Sequence, residues 1–261
     1  MTVPEVVAPT SVAELARVLR DRPDAVPVGG GTLEVPRWAD PRTRPATAVL
    51  LAGVEGLASA DRLGCGAAAT LHTLATDPRV PQPLRAAARS VAGPAVRSLA
   101  TVGGNVAQAA PGCLAAALLA LGAEVELLAP GRPRGWTPLA DALAAGEPRG
   151  AVVLGFRWHE TPLGAVFRKT TRSQGAGPPL ATVAACRFAG GRVRLAVAGP
   201  DIPPHLLAVE APAPLIGPGA ADAAYLRWLV RRQGRLALEA LLDTTAGRSA
   251  GPSPVDTEKG N

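Results

Sequence analysis

Two short glycine segments constrain this chain more than any other feature: Val28-Gly29-Gly30-Gly31-Thr32-Leu33 and Thr101-Val102-Gly103-Gly104-Asn105. Glycine lets a backbone turn with positive φ and bring its N–H groups against a ligand without interference from a Cβ. Thr101 and Asn105 can add a hydroxyl and a carboxamide to such a lining. The first segment follows a short apolar run, Ala25-Val26-Pro27-Val28. The second follows Pro94–Ala100 and precedes an expected helix over Pro111–Leu121, so its amides would lie near a helix N-terminus, a natural anion site. Taken alone, a T-x-G-G-N pentapeptide also suits a tight turn between two buried elements. Two such segments together suit a pair of loops holding two ends of one phosphate-bearing ligand. Neither is a G-x-G-x-x-G dinucleotide fingerprint, and neither carries the G-K-[ST] of a P-loop.

The rest of the chain reads as a succession of short β/α units. Ser11-Val12-Ala13-Glu14 forms a capping box, and Leu15, Val18 and Leu19 continue an apolar helical stripe. Strands are expected at Ala25–Val28, Ala48–Leu51, Leu63–Ala67, Val125–Leu128 and Val152–Phe156. Thr70 caps a short helix reaching Thr76, and further helices are expected over Pro83–Ala92, with Leu84, Ala87, Ala88 and Val91 on the buried side, and around Leu139–Ala144. Beyond Gly164 the pattern becomes a meander: strands at Ala165–Lys169, Leu180–Phe188 and Val193–Ala198, with Gly190-Gly191 turning between the last two. Helices at Ala220–Leu229 and Leu236–Leu242 follow. Residues 244–261 lack apolar periodicity and are expected to be disordered.

With both glycine segments in place, the chain resembles the FAD-binding subunit of molybdenum hydroxylases, the family of xanthine dehydrogenase and aerobic carbon monoxide dehydrogenase. That family carries an A-G-G-T-like loop, matched by Gly29-Gly30-Gly31-Thr32, and an R-x-x-A-T-[IV]-G-G-N loop, matched by Arg97-Ser98-Leu99-Ala100-Thr101-Val102-Gly103-Gly104-Asn105. The likeness extends over roughly residues 5–245. It implies an α+β protein: a two-subdomain FAD-binding fold of the vanillyl-alcohol-oxidase/molybdopterin-dehydrogenase type, then a C-terminal α+β domain with a three-stranded antiparallel sheet and helices. The corresponding divisions are 1–53, 54–160, 161–243 and a tail at 244–261. The resemblance also implies noncovalent FAD. Val28, Gly29, Gly30, Gly31, Thr32 and Leu33 would wrap its pyrophosphate, with Thr101, Val102, Gly103, Gly104 and Asn105 as the opposite wall.

Lysine usage adds one candidate. The chain has two lysines, Lys169 and Lys259, against 25 arginines. A lysine retained in so arginine-biased a chain suggests a place for a compact point charge, which a planar guanidinium does not replace; an exposed lysine at a strand end is the plainer alternative. The resemblance places Lys169 in the family's K-x-x-R segment, Lys169-Thr170-Thr171-Arg172, where the lysine approaches the flavin. The chain also departs from the family. An aspartate usual in a P-x-x-D-x-x-P segment is replaced within Pro111-Gly112-Cys113-Leu114-Ala115-Ala116, either Cys113 or Leu114 taking its place. A later aspartate aligns with Pro179, and the often polar residue after Thr32 is Leu33. Each lost hydrogen bond would weaken FAD binding by about 0.5–1.5 kcal/mol.

Composition narrows the functional classes. At 261 residues and 48% hydrophobic the chain can bury a sizeable core. Three scattered cysteines, Cys65, Cys113 and Cys186, fit neither a disulfide framework nor a cluster or zinc site, and His72, His159 and His205 are isolated. Net charge is +6, but the arginines are dispersed and aromatics make up only 3%, which argues against nucleic-acid binding and for a basic surface that is solvated or meets an acidic partner. No apolar run approaches a membrane span, and a cytoplasmic location is expected. No general acid or base stands out, as suits a chain that moves electrons. The resemblance implies a separate molybdenum-cofactor large subunit and a small subunit with two [2Fe–2S] clusters, passing electrons to this FAD and on to NAD or another acceptor, with xanthine or another purine as the default substrate. Two other readings stay open: a stand-alone FAD-dependent oxidoreductase of a small metabolite, and a noncatalytic scaffold that has lost FAD.

Overall fold

The computed structural model describes residues 3–108, 113–146, 151–172, 177–210, 216 and 222–246, the last three as backbone only. In chain order the first unit comprises β1 (Glu5–Val7), α1 (Val12–Asp21), β2 (Val26–Val28), α2 (Glu34–Arg37) and β3 (Thr47–Leu50). Its strands form a parallel sheet in the order β1-β3-β2. Helix α1 starts where the capping box places it: Ser11 Oγ accepts from the Glu14 N–H at 3.2 Å. The Glu14 carboxylate reaches back one residue further than usual, accepting from the Thr10 N–H at 2.9 Å.

The second unit contains β4 (Gly64–Gly66), α3 (Leu71–Thr76), α4 (Gln82–Arg89), α5 (Pro94–Leu99), α6 (Val102–Val106), α7 (Leu114–Leu121), β5 (Glu124–Leu128), β6 (Trp136–Pro138), α8 (Leu139–Ala145) and β7 (Val152–Arg157). Its sheet is antiparallel, ordered β4-β7-β5-β6. The third unit holds β8 (Gly164–Thr171), β9 (Pro179–Arg187), β10 (Val193–Gly199), β11 (Ile202–Leu207) and α9 (Ala223–Ala246), with the strands ordered β11-β10-β9-β8 and all antiparallel.

Helix α7 sits at the centre. Apolar on every face, it can be stable only if wholly enclosed, and each of its eight residues is at most 2% exposed. One core packs α3, α4 and α7 against Ala184, Cys186, Phe188, Ala196 and Ala198 of the third sheet. The opposite face of that sheet packs on α9 through Leu226, Leu229, Val230, Ala237 and Leu241. A further core joins Leu15, Leu19 and Val49 of the first unit to Leu128, Val152 and Leu154 of the second. At the far end of α7, Gly122 closes the helix with φ +68, and the Arg194 guanidinium donates to the Leu121 carbonyl at 3.3 Å.

Several expectations are corrected. The C-terminal sheet has four strands, not three: β11 was hidden by Pro203 and Pro204, which an edge strand tolerates because it need not donate on its outer side. The two expected C-terminal helices are one, running through the buried Gly234 and on to Ala246, so residues 244–246 are helical. Helix α4 ends at Arg89, leaving Val91 half-buried beyond it and Ala92 at φ 41. Strands β1 and β6 and the four-residue α2 were not expected. The beginning of the Pro111–Leu121 helix lies outside the described residues, as does the rest of the 244–261 tail.

Candidate functional site

The two glycine segments meet. Segment 28–33 leaves the C-terminal end of β2, and Leu51 N–H donates to the Val28 carbonyl at 2.9 Å, anchoring its start to the neighbouring strand. At Gly30 an added Cβ would overlap the Leu99 carbonyl oxygen, and at Gly29 it would lie 2.5 Å from Thr101 Oγ1. The first segment therefore has no side chains at these positions because the second is packed directly on it. Of the five glycines, only Gly31 has a positive φ, +68.

The second segment is not the open loop expected. Val102–Val106 is a turn of helix, with Gly103 and Gly104 inside it and Thr101 as its N-cap. Thr101, 6% exposed, accepts from the Gly104 N–H at 3.2 Å. Val102 and Gly103 donate to the Ala69 and Ala67 carbonyls at 3.0 and 2.8 Å, and Asn105 donates to the Thr101 carbonyl at 2.9 Å. The first N–H groups of this turn are thus consumed within the protein and offer no free anion site. Gly103 is required for approach rather than for torsion: its Cβ would lie 2.7 Å from that of Ala67. The Asn105 side chain is also engaged, its Oδ1 accepting from Leu114 N–H at 3.1 Å at the start of α7.

The first segment is the reverse case. Among the described residues, none accepts a hydrogen bond from the N–H of Gly29, Gly30, Gly31, Thr32 or Leu33. Five successive donors are left over, on a half-buried loop with the exposed Leu33 at its end. Backbone polar groups in such a place need a partner, and consecutive N–H groups around a left-handed residue form a concavity suited to an anion.

Lys169 lies on β8 opposite Thr182 of β9. Its ammonium donates to the Ser90 carbonyl at 2.7 Å, just past the end of α4. Arg97, a motif position in the sequence with no role assigned to it, completes this turn. Its Nη1 donates to the carbonyls of Ala92 at 2.5 Å, Val91 at 3.0 Å and Arg89 at 3.4 Å. The signal available was Ala92-Gly93-Pro94, a chain reversal whose carbonyls need donors. Leu99 was likewise missed, because a carbonyl that covers a glycine leaves no trace in side-chain type.

The departures from the family pattern fall on interior positions. Cys113 and Leu114 are 3% and 0% exposed, so neither offers a polar contact at the surface. Burial pushes the Cys65 and Cys186 thiols up to about 12, keeping them protonated and inert. Glu124 pairs with Arg157 at 2.6 Å, and this hydrogen bond, helped by His159, holds its carboxyl below the usual range. Among the described residues no group of three or more His, Cys, Asp or Glu could hold a metal ion, and no helix is long and apolar enough to cross a membrane.

Comparison with known proteins gives a consistent result. Residues 2–153 match the family model described as the FAD binding domain in molybdopterin dehydrogenase. No curated protein sequence matches the chain. Among solved structures, quinoline 2-oxidoreductase from Pseudomonas putida 86 aligns over 96% of this chain and 100% of its own, with 24% identity and a TM-score of 0.72. Carbon monoxide dehydrogenase from Hydrogenophaga pseudoflava aligns over 93% of this chain and 98% of its own, with 23% identity and a TM-score of 0.76. Reconstituted CO dehydrogenase from Oligotropha carboxidovorans gives 20% identity over 92% of this chain and 99% of its own, with a TM-score of 0.75. At such identities the likeness establishes a shared fold.

Proposed function

Since the chain belongs to the family of FAD-binding domains of molybdopterin dehydrogenases, we propose that it is the FAD-carrying electron-transfer subunit of a heteromeric molybdenum hydroxylase. Its partners would be an iron–sulfur subunit and a molybdenum-cofactor subunit. The observation that carries the reading is the row of five N–H donors on Gly29–Leu33 without an acceptor among the described residues. A pyrophosphate with two negative charges is the group such a row fits, and the fit needs no acidic or basic side chain.

The residues divide the task. Val28, Gly29, Gly30, Gly31, Thr32 and Leu33 bind the pyrophosphate through the backbone. Thr101, Val102, Gly103, Gly104 and Asn105 form the opposite wall, set in place by their own hydrogen bonds to Ala67, Ala69 and Leu114. Lys169 spends one ammonium proton on Ser90 and keeps two for the cofactor. Bound FAD supplies two-electron and one-electron redox chemistry, so the chain needs no general acid or base of its own. NAD is the acceptor we favour, and a purine such as xanthine the substrate, oxidised on the large subunit. The structural relatives named for carbon monoxide and for quinoline keep those two chemistries beside it.

The purified chain should be yellow, with bands near about 370 and 450 nm, and should release FAD on denaturation. A colourless chain that fails to take up added FAD would overturn the proposal and leave a scaffold that has lost its cofactor. Lys169→Met should retain the fold, with FAD affinity about tenfold weaker for the loss of a charged hydrogen bond.

A further inference from the structure

Helix α9 presents a second, unrelated surface. Its inner side is buried on the third sheet. Its outer side carries Tyr225 and Trp228, 41% and 51% exposed, with ring centroids 5.8 Å apart and nearly parallel. The Arg232 guanidinium lies 5.4 Å from the Trp228 ring. Arg227, Arg231 and Arg235 are exposed alongside, so arginines gather on this helix rather than being dispersed as expected, and no carboxylate interrupts the helix from Ala223 to Leu238. Among the described residues none of these four arginines pairs with an acid, although arginines elsewhere, such as Arg22, Arg42, Arg79, Arg134 and Arg157, do.

We infer that the outer face of α9 is a docking surface for an acidic protein segment, with Tyr225 and Trp228 as its apolar anchor and Arg227, Arg231, Arg232 and Arg235 as its carboxylate-binding rim. Aromatic and arginine side chains are the types that dominate protein interfaces, and here they occur together in a chain with few aromatics. Charge selects the occupant. A second copy of this chain would bring arginine against arginine. The side chains of residues 247–261 include two acids, Asp256 and Glu258, and two bases, Arg248 and Lys259, so this segment has no net acidic charge to offer. A nucleic acid would need free aromatic faces, whereas Trp228 is already stacked with Tyr225 and covered by Arg232. A membrane would need an apolar helix face, and that face is spent on the sheet.

The test uses the full chain and labelled poly-L-glutamate as the acidic probe, followed by fluorescence anisotropy at low and moderate salt. Arg231→Glu/Arg235→Glu is compared with Arg20→Glu/Arg132→Glu, a control of equal net charge away from α9. The α9 double variant should bind at least about tenfold more weakly than the control, and Trp228→Ser should weaken binding further at moderate salt, where the apolar anchor dominates. FAD content is measured on the same samples and should be equal in all of them. Equal binding by both double variants would overturn the inference. So would tighter binding to a short DNA duplex or to phosphatidylserine vesicles than to poly-L-glutamate, or self-association of the wild-type chain that the α9 variant abolishes.

Discussion

At the scale of single residues, Gly30 is where the two segments of the proposed cofactor site touch. Its Cα faces the Leu99 carbonyl so closely that a methyl group has no room, and the carbonyl belongs to the backbone of α5 and cannot rotate away as a side chain could. Gly30→Ala must therefore push the two segments apart. The expected cost is about 1–3 kcal/mol in unfolding free energy, as for other overpacked sites, together with a loss of FAD affinity. Gly135 serves as the control: its φ is not in the left-handed region and an added Cβ meets nothing within 4 Å. Gly135→Ala should leave stability within about 0.5 kcal/mol and leave FAD binding intact. Denaturant unfolding and FAD titration of both variants decide the point. If Gly30→Ala behaves like Gly135→Ala, the close packing of the two segments is not what shapes the site.

Among the elements, the turn between α4 and α5 governs how the second segment is presented. Residues 89–92 turn four carbonyls toward two cations: Arg97 takes those of Arg89, Val91 and Ala92, and Lys169 takes that of Ser90. The left-handed Ala92, a conformation costly for an L residue, is held by these bonds. Arg97→Met should lower stability by about 1–3 kcal/mol and weaken FAD binding, and Arg97→Lys should restore only part, since a point charge cannot reach all the carbonyls at once. Thermal unfolding of the pair is the measurement, and an unchanged Arg97→Met would mean that these carbonyl bonds do not hold the turn. This is also where the sequence stopped being legible. Helices α1 and α3 could be read because cap and apolar stripe are both local, at Ser11 and at Thr70. Helix α6 could not, because a Gly-Gly pair has poor helix propensity, and what holds it helical is the pair of carbonyls at Ala67 and Ala69, remote in sequence. Strand β11 and the unbroken α9 were obscured the same way, by prolines and a glycine whose usual meaning tertiary packing overrides.

For the molecule as a whole, the glycine positions of the candidate site were legible, while the contact between the two segments was not, since it depends on how separate units stack. The three sheets are distinct in topology, but the cores run across them. Leu128, Val152 and Leu154 complete the core around Leu15 and Leu19, and the third sheet supplies Ala184, Cys186, Phe188, Ala196 and Ala198 to the core that encloses α7. Residues 1–160 alone would uncover one side of a helix that has no polar face, and would also lose the Lys169 bond to the turn beside the site. The full chain should therefore melt in a single calorimetric transition with equal calorimetric and van't Hoff enthalpies. The 1–160 fragment should bind a hydrophobic dye and melt without cooperativity. Two resolved transitions in the full chain, with FAD retained after the first, would make the C-terminal unit an appendage. A single transition would mean that α7 ties the site to the C-terminal sheet, so that α9 and the glycine segments stand or fall together.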